Sequence, residues 1–302
     1  MDKNKIILIN PRSAGSDKII NFFNERNINY MVVNNQNSIE HIIKKGIKQG
    51  YLDYIICGGD GTINNFIHQY MNLPEGFRSK MSVGFFPSGT ANDLSDELRI
   101  SSNLENAYNQ IMKRKLKKVD ILKVNNSYFV TGGGFGVSAD IVNDVNVLYT
   151  LIENPLIKKL KRQLYFFSIA KKLLFGFKTI KNPMVNGKKI KGRFIGSFVQ
   201  NQPKTAKGFV ISPNSKNDDG FVELLLVKGS KNIFSNIHIL YIFSMGKQIN
   251  HKRCIEIPFK KLNLQLKWRT YLMGDGEILD CTKNFNFKVI HDAITVYCGD
   301  EK

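Results

Sequence analysis

Over the first 120 residues, short apolar runs alternate with amphipathic stretches. IILI (6–9) precedes Asn10-Pro11 and reads as a buried strand ending in a turn, and residues 16–27 have helical spacing through Ile19, Ile20, Phe22 and Phe23. YMVV (30–33) predicts a second strand, and Ile39, Ile42, Ile43 and Ile47 mark a second helix. A third strand at 54–57 stops at Gly58-Gly59, a helix runs over 62–70, and a fourth strand at 82–86 ends before Pro87. Strands alternating with helices of about ten residues predict an α/β unit with a doubly wound parallel sheet. Ligands of such sheets sit beyond the carboxyl ends of the strands.

After Asp120 the period changes. Segments 121–131, 192–202, 206–212, 220–227, 254–259, 262–267 and 285–296 alternate apolar and polar residues between turn residues, which predicts a mainly antiparallel β-sandwich. Residues 150–181 interrupt this pattern with a helical period. The expected organisation is an α/β domain over 1–120 and a sandwich domain over 121–302. A helical insertion lies at about 150–181, and the extreme C-terminus packs back on the first domain. The boundary rests on the change of periodicity alone.

The length of 302 residues suits two domains, and 42% hydrophobic with 23% charged residues is an ordinary globular composition. No uncharged run approaches the roughly 18 apolar residues of a spanning helix, and the start MDKNKIILIN is too polar for a signal peptide. Cys57, Cys254, Cys281 and Cys298 form no CxxC pair, which fits thiols in a reducing cytosol. Charge changes the picture more. The net charge of +19 divides into +4 over residues 1–120 and +15 over 121–302, a field that attracts polyanions. Segment 150–181 holds Lys158, Lys159, Lys161, Arg162, Lys171, Lys172, Lys178 and Lys181 against Glu153 alone, with Leu and Phe on an apolar face. That is the pattern of a membrane-surface helix; a solvated helix packed on the sandwich is the alternative. No zinc-finger, RNP or helix-turn-helix signature accompanies the charge, so nucleic acid is not an expected partner. The lone Trp268 is expected in the core.

Candidate chemistry lies in three loops at one sheet edge. GGDGT (58–62) follows a strand and opens a helix; its glycines permit positive φ and close approach of a phosphate. Asp60 within it would repel a phosphate unless a cation neutralised it, which hints at Mg²⁺; an Asp that merely caps the helix is the alternative. PSGTANDLS (87–95) adds a second Gly-Thr turn and Asp93, and NPRSAG (10–15) a third loop. Farther on, GDGE (274–277) places Asp275 and Glu277 two residues apart. It reads as a metal and hydroxyl carboxylate pair or as a plain hairpin turn.

NPRSAG, GGDGT and PSGTAND, followed by VDILKVN (119–125), SPNSKNDDGFVELLLV (212–227) and GDGE, resemble in order and spacing the diacylglycerol kinase catalytic-domain family, in its soluble bacterial lipid kinase branch. Eukaryotic sphingosine and ceramide kinases are relatives, and NAD kinases share GGDGT. The resemblance implies that Gly58, Gly59, Asp60, Gly61 and Thr62 cradle ATP phosphates with help from Asn10 and Thr90. It implies that Asp60, Asp93 and Asp120 organise water and Mg²⁺, that Glu277 is the base with Asp275 close by, and that Lys216, Asp219 and Phe221 hold a structural Mg²⁺. An Asp-Gly hairpin turn is the alternative for 212–221. The sequence departs from the family in three places: Asn34 or Asn35 stands where relatives carry a nucleotide-contacting Thr, Leu94-Ser95-Asp96 replaces a stretch with a basic residue, and AKGF (206–209) replaces a glycine-richer run.

The reading is therefore an ATP-dependent lipid kinase with the nucleotide in the cleft between the domains. The acceptor is a membrane lipid, with diacylglycerol giving phosphatidic acid as the leading case. The expected setting is cytoplasmic, peripheral on the inner face of an anionic membrane; a homodimer is left open. NAD kinase and a catalytically silent, nucleotide-sensing membrane-surface protein are the rivals.

Overall fold

The computed structural model describes residues 5–33, 36–89, 92–151, 168, 171–172, 179–205, 209–230, 232–248 and 251–300. Thr90, Asn34, Asn35 and most of the basic segment 150–181 lie outside them.

The first part runs β1 (Lys5–Ile9), α1 (Ser16–Glu25), β2 (Met31–Val32), α2 (Gln36–Lys48), β3 (Asp53–Gly58), α3 (Asp60–Met71), α4 (Glu75–Arg78), β4 (Ser82–Pro87), α5 (Asp93–Glu97) and α6 (Leu104–Met112). β2, β1, β3 and β4 pair in parallel in that order. Every residue of β3 is buried, as expected for a central parallel strand covered on both faces. Register aligns the strand ends: Ile9 lies opposite Cys57, and Cys57 opposite Phe86. The loops beginning at Asn10, Gly58 and Ser88 therefore leave the sheet at one level.

The second part runs β5 (Leu116–Val124), β6 (Ser127–Phe129), β7 (Gly132–Gly136), α7 (Val137–Leu151), β8 (Ile180–Lys181), β9 (Met184–Val185), β10 (Lys188–Lys189), β11 (Arg193–Gln200), β12 (Lys204–Thr205), β13 (Phe209–Val210), β14 (Val222–Lys228), α8 (Ile233–Ser244), β15 (Cys254–Phe259), β16 (Lys261–Gly274) and β17 (Glu277–Tyr297). Strands β15, β14, β11, β7, β16 and β17 pair antiparallel in that order. Their inner residues Val199, Val222, Leu224, Leu226 and Phe259 share one core with Leu122 of β5 and Phe285, Phe287 and Val289 of β17, so the sheet closes over itself.

β17 ties the two parts together. Along its length it pairs with β16 and β5, and at its end it lies parallel to β4, with Thr295 opposite Ser82 and Val296 opposite Val83. Ile294, Val296 and Tyr297 thus join the first core beside Ile55, Phe66, Phe85 and Ile111.

Sequence patterning missed α4, α5, α6, α7, α8 and β7, and the end of the segment expected to be helical, Ile180–Lys181, is strand β8, paired with β11. α8 (IFSNIHILYIFS) is apolar around most of its circumference, which hides a 3.6-residue period. β7 begins with three glycines, and its strand form comes from partners on both sides, β11 and β16. The C-terminal hairpin is longer than the expected 262–267 and 285–296, because β16 and β17 pair right up to GDGE. Trp268 is 68% exposed, in a stretch where the β16–β17 register shifts between Gln265 and Thr270.

Because β17 crosses both cores, they should unfold together. Phe285→Ala, at a fully buried ring stacked on Phe135, should lower unfolding free energy by about 3–5 kcal/mol. Urea titration followed by circular dichroism and by tyrosine fluorescence should give coincident transitions; two separate transitions would contradict the coupling.

Candidate active site

Hydrogen bonds join the three loops at the sheet edge. Asn10 Nδ2 donates to Thr62 Oγ1 at 2.8 Å, which ties the first loop to the start of α3. The Ser13 and Ser88 hydroxyls are 2.9 Å apart, and the Gly15 N–H donates to the Ser88 carbonyl at 2.9 Å. Gly58 and Gly59 serve close approach and not positive φ: Gly59 has φ −91°, and a Cβ on it would lie 2.9 Å from the Gly89 Cα. Two loops cross there backbone on backbone, which no side chain permits.

Asp60 acts on α5 and not on its own helix. Its Oδ1 accepts from the Asp93 N–H at 3.0 Å and its Oδ2 from the Asn92 N–H at 3.1 Å, at the positive end of the α5 dipole. Burial first, then the neighbouring Asp93 carboxylate, raises the Asp60 pKa from 3.8 to about 6. Asp93 is anchored from the second part of the molecule, because its Oδ2 accepts from Thr205 Oγ1 at 3.3 Å and its carbonyl from Gln202 Nε2 at 3.2 Å. The two adjacent carboxylates Asp60 and Asp93 are a fit donor set for a divalent cation.

GDGE is the tip of the β16–β17 hairpin. Asp275 and Gly276 both have positive φ, 49° and 80°, as a two-residue type I′ turn requires and Asp-Gly supplies. The plain-turn reading and the site reading thus describe the same residues. Asp275 does not face a reacting group, contrary to its expected pairing with Glu277. Its carboxylate is buried and accepts from the Val130 and Thr131 N–H groups, from Thr131 Oγ1 at 2.7 Å and from Asn64 Nδ2 at 2.9 Å. Burial raises its pKa, and these donors pull it back. Glu277 is exposed, and its Oε1 lies 3.3 Å from where a Cβ on Gly61 would stand, directly over the first turn of α3. The hairpin tip therefore delivers one carboxylate to the GGDGT loop and uses the other as its anchor.

Asp120 departs from expectation as well. Its fully buried carboxylate accepts from the Gly220 N–H at 2.7 Å, from the Asp292 N–H at 2.8 Å and contacts His291 Nδ1 at 2.8 Å. The Asp60 carboxylate bonds the Asp93 loop and that of Asp93 bonds Thr205, whereas the bonds of Asp120 run to loop 212–221 and to a bulge in β17. That bulge, where the β5–β17 register shifts between Ile290 and Ile294 and Asp292 takes φ 51°, turns both partners onto it. Lys216, Asp219 and Phe221 stand exposed on the same loop, where Asp219 Oδ1 accepts from the Phe221 N–H at 2.9 Å. Among the described residues the His and acidic groups that gather within 4.8 Å are Asp120, His291 and Asp292, a set without Asp219.

Sequence reasoning missed three contributors. Asn64 sits four residues after Asp60 on the same helix face, a polar residue among the otherwise apolar buried residues of α3. Thr131 supplies two donors to Asp275. Gln200, fully buried at the end of β11, lies over Gly132, and neither atom of its amide has a hydrogen-bond partner. Burying an amide unpaired costs about 1–3 kcal/mol, a cost that a bound water or other polar partner would relieve.

The raised Asp60 pKa has a testable consequence for stability. Between about pH 4 and 6 the folded chain holds a proton that the unfolded chain releases, so stability falls as pH rises through that window and levels off above it. In EDTA, the unfolding free energy of the wild type relative to Asp60→Asn should fall by up to about 3 kcal/mol from pH 4 to pH 6.5. Parallel curves would contradict the assigned environment.

The comparisons with known proteins agree with this architecture. The family model for the diacylglycerol kinase catalytic domain matches residues 5–124. A protein of Shewanella frigidimarina named "Probable lipid kinase YegS-like" is 27% identical over 255 residues, 80% of this chain and 74% of its own. A diacylglycerol kinase of Staphylococcus aureus is 25% identical over 243 residues, 78% of this chain and 70% of its own. Two solved chains from Bacillus anthracis share the fold with TM-scores of 0.76 and 0.69 at 18% and 17% identity, each covering 98% of this chain and 98% and 97% of their own; the second is titled a diacylglycerol kinase. An Archaeoglobus fulgidus NAD kinase, solved with ATP, shares the fold at a TM-score of 0.51 and 10% identity, over 98% of this chain and 94% of its own. Among the described residues no helix is long and apolar enough to cross a membrane. Residues 5–124 thus match a diacylglycerol kinase catalytic domain, the chain is similar over most of its length to proteins named as lipid kinases, and it is a kinase, whose chemistry requires a nucleotide substrate.

Proposed function

We propose that this kinase transfers the γ-phosphate of ATP to a hydroxyl of a membrane lipid, with diacylglycerol giving phosphatidic acid as the leading acceptor. The observation that carries the reading is the Glu277 carboxylate over the first turn of α3, beside the loop Gly58–Thr62. In phosphoryl transfer the protein supplies position, charge neutralisation and a base for the acceptor proton. The α3 N-terminus and the crossing of Gly59 with Gly89 form an anion cradle, with Asn10 and Thr62 locked beside it. Asp60 and Asp93 would hold Mg²⁺, whose role is to neutralise phosphate charge. Glu277 takes the hydroxyl proton as that oxygen attacks phosphorus and ADP leaves. Asp275 is a positioning residue.

The decisive assay offers labelled ATP with diacylglycerol, other lipid alcohols and NAD in parallel. Label should enter a lipid; label in NAD instead would favour the NAD kinase reading. Glu277→Gln should slow transfer by about 10²–10⁴-fold with nucleotide affinity nearly unchanged. A variant retaining more than about a tenth of the rate would remove Glu277 as the base.

A further inference from the structure

α8 carries more apolar surface than its packing uses. Its inward face, with Asn236, Ile239 and Phe243 buried, closes a third cluster against Ile195, Ile211, Leu225 and Val227. On the opposite side Phe234, Ile237 and Tyr241 follow at steps of three and four residues, and Met245 continues the row just past the helix end. These four are 76%, 45%, 58% and 49% exposed. Steps of three and four put them on one stripe. Scattered exposed apolar residues are ordinary, whereas a contiguous row marks a contact surface.

Its charge setting selects the occupant. Lys247 and Lys252 just beyond the helix are exposed and Lys228 before it is partly so, whereas Arg253 turns inward onto Ser235 and Asn236. A second copy on this face would bring like charges together. An anionic bilayer instead takes the apolar side chains into its acyl boundary and the lysines at its headgroups. A chain of contacts runs from the end of α8 toward Asp93. Gln248 Nε2, beyond the end of α8, donates to the carbonyls of Val210 and Ile211 at 2.7 Å each, and β13 pairs with β12, whose Thr205 contacts Asp93. Phe209 on that hairpin is itself 46% exposed.

We propose that the outer face of α8, formed by Phe234, Ile237, Tyr241 and Met245, docks on an anionic lipid bilayer and seats the acceptor side of the site at the membrane surface. This deepens the lipid-kinase reading and rests on it, yet its test reads membrane contact without turnover. Co-sedimentation of the full chain with phosphatidylcholine vesicles, with and without phosphatidylglycerol, should show binding to the anionic ones. Phe234→Ser/Ile237→Ser/Tyr241→Ser should weaken that binding by about tenfold or more and leave unchanged the rate on a short-chain, water-soluble diacylglycerol. A second variant keeps the question open to refutation should the triple change unfold: Trp268→Phe/Phe234→Trp leaves a single indole at the row. Its emission should shift to the blue on anionic vesicles and be quenched by brominated acyl chains. No vesicle binding by the wild type, equal binding by the folded triple variant, or unshifted emission overturns the proposal. So does a wild-type dimer in light scattering that the triple variant splits. Absence of transfer to any lipid beside intact vesicle binding would overturn the kinase reading and leave the docking face standing.

Discussion

The site depends on how one buried carboxylate is satisfied. Asp275 cannot sit unpaired in the interior, where an uncompensated charge costs several kcal/mol, and its donors come from across the molecule: Asn64 on α3 and Val130 and Thr131 on the chain between β6 and β7. Those bonds fix the hairpin tip against the helix that carries GGDGT. Two residues on, Glu277 then has one place to be. The same hairpin is held from below, since the Asp275 N–H donates to the Gly132 carbonyl at 2.9 Å. The position of Glu277 follows from polar satisfaction: removing the anchor would leave a buried charge or a loose tip, and Glu277 would lose its register with the loop Gly58–Thr62.

The second constraint is the continuity of the sheet. β17 is antiparallel to β16 at its start and parallel to β4 at its end, so the parallel sheet that presents the phosphate loops and the antiparallel sheet that presents Glu277 are joined by backbone hydrogen bonds. Thr205 and Gln202 reaching Asp93 add a bond in the same direction. The loops after the parallel strands and the hairpin tip at Glu277 are thus held on one sheet by the ladder of β17.

Much of this was legible in the residues. Apolar runs ended by Asn10, Gly58 and Pro87 gave the parallel strands because buried β-branched and aromatic residues have few other uses at that length. The loops that follow them carried the chemistry because Gly, Asx and Ser/Thr are what tight turns and anion cradles need. Less of the polar interior could be read. Asp120 and Asp275 look alike from sequence to Asp60 and Asp93, yet their partners, Gly220, Asp292, Asn64 and Thr131, lie 100 or more positions away and are brought in by strand register. α8 escaped because a helix apolar on two faces has little period, and the same feature that concealed it makes its outer row conspicuous once the fold is known. Gly59 was expected to permit positive φ and close approach of a phosphate; it has φ −91° and lets two loops cross, a contact no local pattern records.

The central claim is that Asp275 positions and Glu277 reacts. The pH dependence of kcat separates the two, since the acidic limb reports the group that must be ionised to accept the proton. In Asp275→Asn and Asn64→Ala, kcat should drop by as much as about a hundredfold while the acidic limb persists; in Glu277→Gln the limb should vanish. If the limb disappears in Asp275→Asn and survives in Glu277→Gln, the roles are reversed and the account fails.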